Sequence, residues 1–349
     1  MIVDAHLDVA WNALSQGRGF QGAPAPGYLV SQESLTAGGV GLFFGTLYCT
    51  PAARPGHEDE LAYRTPREAA LLARAELGYY RSTGLPLVRT RADLEAHVDA
   101  WQPGRLAMLL LMEGADPLEE PGDIVRWAEQ GLRVLGPAWG RTRYAGGTGE
   151  PGGLTRQGRE LLAAMQEVGV VLDLSHLADQ AVEEALRLWR GPLLASHSNA
   201  RTLVHGDRQL ADETVAEVGR RGGVVGVSFF RKHLRADGRP AHLQDVKRHV
   251  DHLARVAGGP QHVGLGTDLD GGFAAADAAI DRLEQLGELR PMLRRRFSEA
   301  QVEGIMGGNW VELLRRALPG ADGRLGPAWS REGAEEEPAS AWRRPEGEA

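Results

Sequence analysis

The sequence has little cysteine, no long apolar run and no excess of positive charge. Cys49 is the only cysteine in 349 residues, which excludes an intrachain disulfide framework and a cysteine-rich zinc ribbon. No apolar run approaches the roughly 20 residues that a membrane-spanning helix needs. The 39 basic side chains are outnumbered by 47 acidic ones, so the concentrated positive charge of a nucleic-acid-binding protein is missing. We expect a protein that binds neither nucleic acid nor membrane.

Nothing at the start of the sequence indicates a secretory signal, because Met1 leads directly into a short apolar strand and a polar motif. We therefore expect a cytoplasmic protein. Glycine, by contrast, is abundant, at 46 of 349 residues, or about 13% against a usual ~7%. This excess predicts many tight turns, disorder, or both.

Short apolar segments alternate with amphipathic segments along most of the chain. Helix signals lie between the apolar segments; for example, Thr65, Pro66 and Glu68 form a capping box with proline in the first turn. Eight strands alternating with helices predict a single (β/α)₈ barrel over residues 1–318, and an open doubly wound sheet is the alternative. The predicted strands span residues 2–5, 41–47, 106–112, 133–136, 168–174, 192–195, 224–229 and 263–266.

Residues 319–349 differ in composition from the rest of the chain. They are rich in Gly, Pro, Glu and Arg and lack apolar periodicity, which predicts a flexible tail. Residues 17–27 and 141–153 are glycine-rich and are predicted to be loops.

Metal-binding side chains follow five of the predicted strands. His6 and Asp8 lie two residues apart, so both can point to the same side of an extended segment. A single histidine at a strand end is usually a hydrogen-bonding structural residue. Six such side chains at the end of a barrel where catalytic sites form predict a metal site instead. The full set is His6, Asp8, Glu113, His176, His197 and Asp268.

Three histidines and three carboxylates exceed the three protein ligands that one catalytic zinc usually has. They suit two ions about 3.5–4 Å apart, bridged by a carboxylate and a hydroxide. Two other patterns are weaker. Residues 147–152 match a dinucleotide-binding fingerprint, but no strand precedes them. His249 and His252 are predicted to lie on the solvated face of a helix, because no third ligand is evident.

Seven motifs, taken together and in order, resemble the membrane (renal) dipeptidase family, a branch of the amidohydrolase superfamily. They lie at residues 4–8, 112–114, 153–155, 172–176, 196–198, 264–271 and 308–310. The resemblance extends to about Leu318. It implies a metal-dependent barrel that hydrolyses dipeptides, and a homodimer is a further family-level expectation.

The resemblance also implies a role for each site residue. His6 and Asp8 would hold one zinc ion, His176 and His197 a second, and Glu113 would bridge the two. Asp268 matches the catalytic aspartate, which takes a proton from the attacking hydroxide or water and passes it to the leaving amine. Arg208 matches the arginine that binds the C-terminal carboxylate of the substrate, and Asp270 is a second candidate for substrate contact.

One position departs from the family pattern. Trp139 stands where the family usually has a histidine that binds and polarises the scissile carbonyl. Trp139 could donate its indole N–H instead, Arg141 or Arg143 could supply positive charge, or the substrate class could have changed. The leading hypothesis is a dipeptidase, with a D-residue at the C-terminal position as one class of substrate. The departure at Trp139 leaves two alternatives open. They are an amidohydrolase acting on another amide or lactam, and a catalytically silent binding protein.

Overall fold

Eight parallel strands form the centre of the fold in the computed structural model, which describes residues 1–52 and 61–329. All eight predicted strands are present, displaced by a few residues at most, because each is a short apolar segment buried on both faces. The barrel strands are β1 (Ile2–Leu7), β2 (Val40–Tyr48), β3 (Ala107–Glu113), β4 (Leu132–Gly136), β7 (Val171–Asp173), β8 (Leu193–Leu194), β9 (Val225–Val227) and β10 (Val263–Leu265).

The strands pair in the order β8-β7-β4-β3-β2-β1-β10-β9, and a parallel bridge between Ala195 and Val225 joins the two ends. Glycine makes this closure possible, because a Cβ atom at Gly226 or at Gly266 would overlap with the carbonyl oxygen of Ser196. The nearly closed barrel confirms the predicted (β/α)₈ fold, and the doubly wound alternative is wrong.

Helices surround the barrel and follow most of its strands. The predicted capping box is present: the Thr65 hydroxyl accepts from the backbone N–H of Glu68, whose carboxylate accepts from the N–H of Thr65. The helices are α1 (Val9–Ser15), α2 (Gln32–Ala37), α3 (Pro66–Ser82), α4 (Arg91–Asp99), α5 (Ile124–Glu129), α6 (Arg156–Val168), α7 (Asp179–Leu188), α8 (Asp212–Arg220), α9 (Arg231–Leu234), α10 (Leu243–Val256), α11 (Leu289–Leu293), α12 (Glu299–Glu303) and α13 (Asn309–Ala317).

Two local predictions are wrong. His249 and His252 on α10 are buried rather than solvated: His249 accepts from the N–H of Ala200, and His252 pairs with Asp212. The glycine-rich segment 141–153 is not entirely a loop, because it contains an antiparallel hairpin of β5 (Ala145–Gly147) and β6 (Glu150–Leu154). The burial of the two histidines and the formation of the hairpin both depend on packing against segments distant in sequence. Local composition does not predict such packing.

The chain beyond residue 318 packs against the barrel as far as the structure describes it. The indole N–H of Trp329 donates to the carbonyl of Ala317, and its ring packs edge-on against Trp189. Residues 330–349, which hold most of the predicted flexible tail, lie outside the described residues. Among the described helices, none is long and apolar enough to cross a membrane.

Candidate metal centre

The six predicted ligand residues meet at the carboxyl end of the barrel. His6 is the penultimate residue of β1, Glu113 is the last residue of β3, and Asp8 directly follows β1. The other three, His176, His197 and Asp268, each lie three residues after the end of their strand. Within the described residues they form three overlapping groups, in each of which the potential ligand atoms lie within 4.8 Å of one another. The groups are His6–Asp8–Glu113, Glu113–His176–His197 and His6–His197–Asp268.

Glu113 lies between two sets of imidazole nitrogens. Its Oε1 atom is 3.1 Å from Nε2 of His176 and 3.2 Å from Nε2 of His197. Its Oε2 atom is 3.7 Å from Nε2 of His6, which is in turn 3.6 Å from Oδ1 of Asp8. The two oxygens of one carboxylate thus face different imidazole rings, which is the arrangement a bridging carboxylate needs.

The donor atoms of this cluster fit metal ions. Nε2 of His6, Oδ1 of Asp8 and Oε1 of Glu113 are buried without a hydrogen-bond partner among the described residues. A buried polar atom without a partner is costly, and coordination to a cation would satisfy all three. Imidazole and carboxylate donors suit zinc, cobalt or manganese.

The charges of the cluster favour the same conclusion. Burial raises the pKa of Glu113 to about 8, because desolvation and repulsion from Asp8 outweigh attraction to His6 and Arg208. Burial likewise raises the pKa of Asp268 well above its usual range. Carboxylates crowded into a buried space need positive charge nearby, which divalent cations supply.

The pKa values of His6 and His197 are shifted in opposite directions. Burial and the neighbouring His6 and Arg208 hold the pKa of His197 well below its usual range, so its ring is neutral and free to coordinate. Burial opposes protonation of His6 as well, but the nearby carboxylates of Glu113 and Asp8 raise its pKa to about 10. Metal binding at His6 would therefore release a proton.

Hydroxyl groups orient the imidazole rings. Oγ of Ser196 lies 2.8 Å from Nδ1 of His197 and 3.4 Å from Nδ1 of His6. Oγ1 of Thr148 lies 3.1 Å from Nδ1 of His176. With each Nδ1 engaged on the outer side, the Nε2 atoms face the centre of the cluster. Sequence analysis did not assign these hydroxyls a role.

Two buried aspartates join neighbouring strand ends, and sequence analysis missed them as well. Asp4 accepts hydrogen bonds from the N–H and the hydroxyl of Thr267, at 2.8 and 2.5 Å, just before Asp268. Asp173 accepts from the N–H groups of Ser175 and Ser196, both at 2.9 Å, just before His176 and His197. The sequence feature that could have identified them is an aspartate two or three residues before a proposed metal ligand.

Left-handed backbone conformations mark the strand ends. His176, Asp268 and Asp270 have φ angles of 66°, 60° and 63°, and among the described residues they are the only ones other than glycine with positive φ. Such conformations persist only where the surrounding structure imposes them, and they cluster at functional sites. Asp268 and Asp270 are two residues apart, and in an extended segment their side chains would point the same way, but these φ angles show that the segment is not extended.

Asp270 lies outside the ligand groups found among the described residues. Its carboxylate accepts from the backbone N–H groups of Leu29 and Val30, the latter at 2.7 Å, and lies 3.8 Å from the guanidinium of Arg18. Its contacts thus hold the segment that follows α1. The structure gives no support to the predicted substrate contact at Asp270.

Arg208 lies beside the cluster. Its guanidinium donates to the carbonyl of His197 at 2.7 Å and to the hydroxyl of Ser198 at 3.3 Å. Its buried Nε has no hydrogen-bond partner among the described residues. Asp268 and Glu113 are near enough to stabilise its charge. The arginine is thus fixed against the segment that follows β8 and carries His197, with donor capacity left for a ligand.

Trp139 also lies at the cluster. Its ring is 6.1 Å from that of His176 and 5.1 Å from that of Tyr48, and it lines a small pocket together with Glu113. The alternative cations are engaged elsewhere: Arg141 donates to the carbonyl of Pro151, and Arg143 donates to the carbonyls of Leu118 and Glu119. Arg141 lines the same pocket, and Trp139 in addition places its ring near that of His176.

A parallel barrel with histidines and carboxylates gathered at the carboxyl ends of its strands defines a metallohydrolase of the amidohydrolase type. The model of the membrane dipeptidase family (peptidase family M19) matches residues 1–320, and the chain belongs to this family. It is therefore an enzyme of a metallo-dipeptidase family.

Individual proteins are similar to this chain, two of them solved metallopeptidases. The crystal structure of a family M19 metallopeptidase, dipeptidase AC, superposes with a TM-score of 0.76 at 28% identity, covering 91% of this chain and 98% of that one. A metallopeptidase from Rhodobacter sphaeroides, liganded with a phosphinate mimic of the dipeptide L-Ala-D-Ala, has a TM-score of 0.75 at 27% identity, with 90% and 99% covered. An uncharacterized protein in the pqqA 5′ region of Klebsiella pneumoniae is 30% identical over 230 residues, 60% of this chain and 82% of that protein.

Proposed function

We propose that this enzyme hydrolyses the peptide bond of dipeptides with two divalent metal ions, zinc being the expected metal. His6 and Asp8 would hold one ion, His176 and His197 the other, and Glu113 would bridge them. The observation that carries the proposal is the position of Glu113, one carboxylate oxygen of which lies next to His176 and His197 and the other next to His6. The cluster also holds more candidate donor residues than the three protein ligands that one catalytic zinc usually has.

When bound, such ions supply Lewis acidity that polarises a carbonyl and makes a water molecule nucleophilic at neutral pH. Asp268 is buried next to His6 and His197 and has no role in either proposed ligand pair. We assign to its carboxylate the removal of a proton from the attacking water and its delivery to the leaving amine. Burial raises the pKa of Asp268, which suits a group that both takes and returns a proton.

Arg208 supplies the expected preference for substrates with a free carboxylate near the scissile bond. Its planar guanidinium can donate two parallel hydrogen bonds to a carboxylate. It is already fixed by the carbonyl of His197, so a bound C-terminal carboxylate would lie next to the metal ligands. A longer peptide would carry that carboxylate away from the scissile bond, and dipeptides are therefore the preferred length.

The test is an assay of matched dipeptides with the metal-loaded enzyme and with enzyme stripped by a chelator. L-Ala-D-Ala belongs in the panel, because the Rhodobacter sphaeroides relative was solved with a mimic of it. L-Ala-L-Ala, the amidated dipeptide and a tripeptide serve as controls. We expect turnover of free dipeptides only, lost on stripping and restored by zinc. Undiminished turnover after complete metal removal would refute the mechanism.

A second candidate function is hydrolysis of another amide or a lactam at the same centre. Trp139 favours it, because an indole beside His176 cannot be protonated as the family histidine can. The variant Trp139→His separates the two functions. A large gain in dipeptide hydrolysis would mean that the natural residue suits a different substrate, and an unchanged or lower rate favours the dipeptidase.

A further inference from the structure

The hairpin of β5 and β6 ends in a two-residue turn, Thr148 and Gly149, that touches two parts of the candidate site. Oγ1 of Thr148 is 3.1 Å from Nδ1 of His176, and the N–H of Gly149 donates to the carboxylate of Asp207 at 2.6 Å. Asp207 directly precedes Arg208. We propose that this turn is a positioning element that orients His176 for metal binding and holds Arg208 for the substrate carboxylate. The second half rests on the proposed function.

The contact with Thr148 engages the Nδ1 side of the His176 ring. The Thr148 hydroxyl lies 3.1 Å from Nδ1 and 3.4 Å from the carbonyl of His176, to which it can donate. In the tautomer that carries its proton on Nδ1, His176 can donate this proton to Oγ1. The Nε2 atom then faces the cluster with a lone pair, and it lies 3.1 Å from Oε1 of Glu113. A hydroxyl at position 148 thus prepares His176 to coordinate a metal.

The hairpin is anchored well enough to position a side chain. The N–H of Thr148 donates to the carbonyl of Trp139 at 2.9 Å, and the N–H of Ala178 donates to the carbonyl of Gly146 at 3.1 Å. Gly147 packs so closely on the backbone of Trp139 and Gly140 that a Cβ atom there would overlap with it. The hairpin is therefore fixed to the segments that follow β4 and β7.

The other contact of the turn restrains the segment that carries Arg208. Gly149 has a φ of 72°, a conformation that glycine adopts without strain, and it directs its N–H at the exposed Asp207. Arg208 itself is tied to His197 and Ser198 on its other side. The segment is therefore held from two directions, and releasing Asp207 would loosen the arginine without touching any of the proposed metal ligands.

The metal half of the proposal is tested with Thr148→Val, which removes the hydroxyl and keeps the shape, and Thr148→Ser, which keeps the hydroxyl. Each is loaded with zinc or cobalt and dialysed against increasing chelator, and its metal content is measured. We expect Thr148→Val to lose metal at about tenfold lower chelator concentration and to show an altered cobalt absorption spectrum. Thr148→Ser should behave like the unaltered chain.

The matched control is Thr36→Val, because the acceptors of the Thr36 hydroxyl within the described part of the chain are carbonyls of its own helix, α2. Circular dichroism establishes that each variant is folded, and Thr148→Ala is a second hydroxyl-free variant should valine not be accommodated. Metal retention by Thr148→Val equal to that of Thr36→Val would overturn this half of the proposal.

The substrate half is tested with Asp207→Ala, which removes the acceptor, and Asp207→Asn, which retains one. We expect Asp207→Ala to raise KM for a free dipeptide about fivefold, the effect of one lost hydrogen bond, with kcat and metal content nearly unchanged. Asp207→Asn should retain most of the affinity. Asp322→Ala is the control, since Asp322 accepts from the N–H of Arg324 beyond α13.

The outcomes separate this proposal from the proposed function. An unchanged KM in Asp207→Ala, or a fall in kcat alone, would refute the substrate half. Metal-loaded enzyme that hydrolyses no dipeptide would refute the proposed function and with it the substrate half. The metal half is then still decided by metal retention in Thr148→Val, because that measurement needs no substrate.

Discussion

Replacing Asp268 by asparagine tests the proposed general base with little disturbance of the fold. Asn has the size of Asp and adopts the left-handed conformation nearly as readily, so the φ of 60° at this position is preserved. The backbone of Asp268 keeps its own contacts, in which its N–H donates to the carbonyl of His6 and its carbonyl accepts from the N–H of Gly271. The substitution therefore removes the proton-accepting oxygen and little else.

We expect kcat to fall by about 10²–10⁴-fold, the usual contribution of a positioned general acid–base group. This range corresponds to about 2.7–5.5 kcal/mol in the activation free energy. KM should stay within about threefold, because Arg208 keeps its contacts to His197 and Ser198. Metal content should be unchanged, because both proposed ligand pairs and Glu113 are intact.

The structure also defines the result that would refute this role. Asp268 shares a potential ligand group with His6 and His197, so it could be a metal ligand instead of a base. A ligand role predicts that activity falls in proportion to lost metal, measured by elemental analysis of the same samples. Asp270→Asn is the control, because its carboxylate binds the backbone of Leu29 and Val30. A kcat for Asp268→Asn within about threefold of the control would also refute the reasoning.

Three further predictions concern metal binding and stability. Glu113→Gln should bind at least one metal ion fewer per chain by elemental analysis, because the carboxylate facing both imidazole sets loses its charge; a full metal complement would contradict the bridging role. Asp173→Ala should lower the free energy of unfolding by about 2–4 kcal/mol in urea titrations, because the N–H groups of Ser175 and Ser196 lose their acceptor; unaltered stability would show that these groups find other partners. Gly226→Ala should destabilise the chain by about 2–3 kcal/mol in the same assay, because the new Cβ overlaps with the carbonyl of Ser196; a smaller effect would mean that the barrel can widen there.

The candidate ligand residues could be predicted from the sequence because they lie at the ends of apolar segments, which are easily recognised. Each lies at or just after a short apolar segment, and His6 and Glu113 illustrate how the end of such a segment identifies a polar residue. Parallel strands of a barrel all expose their carboxyl ends on one face, so residues far apart in sequence are brought together by this rule alone. The structure places all six in one cluster.

Asp270 is a residue whose position could not be predicted in this way. The rule that residues two apart point the same way holds in an extended strand, and β10 ends at Leu265, before Asp268. Beyond that point the positive φ angles of Asp268 and Asp270 change the direction of each side chain. The spacing of the residues did not indicate those angles. At Asp270, the carboxylate accepts from the backbone N–H groups of Leu29 and Val30, which are distant in sequence.

By itself, the amino-acid sequence determined the fold class, the eight strands and the residues that gather at their ends, because apolar runs and strand-end positions are local properties. Only the tertiary structure decided that Glu113 faces two imidazole sets, that Asp173 joins two strand ends and that Thr148 contacts His176. These contacts join segments separated by tens of residues. Their geometry depends on barrel closure and hairpin packing, neither of which leaves a periodic pattern in the sequence.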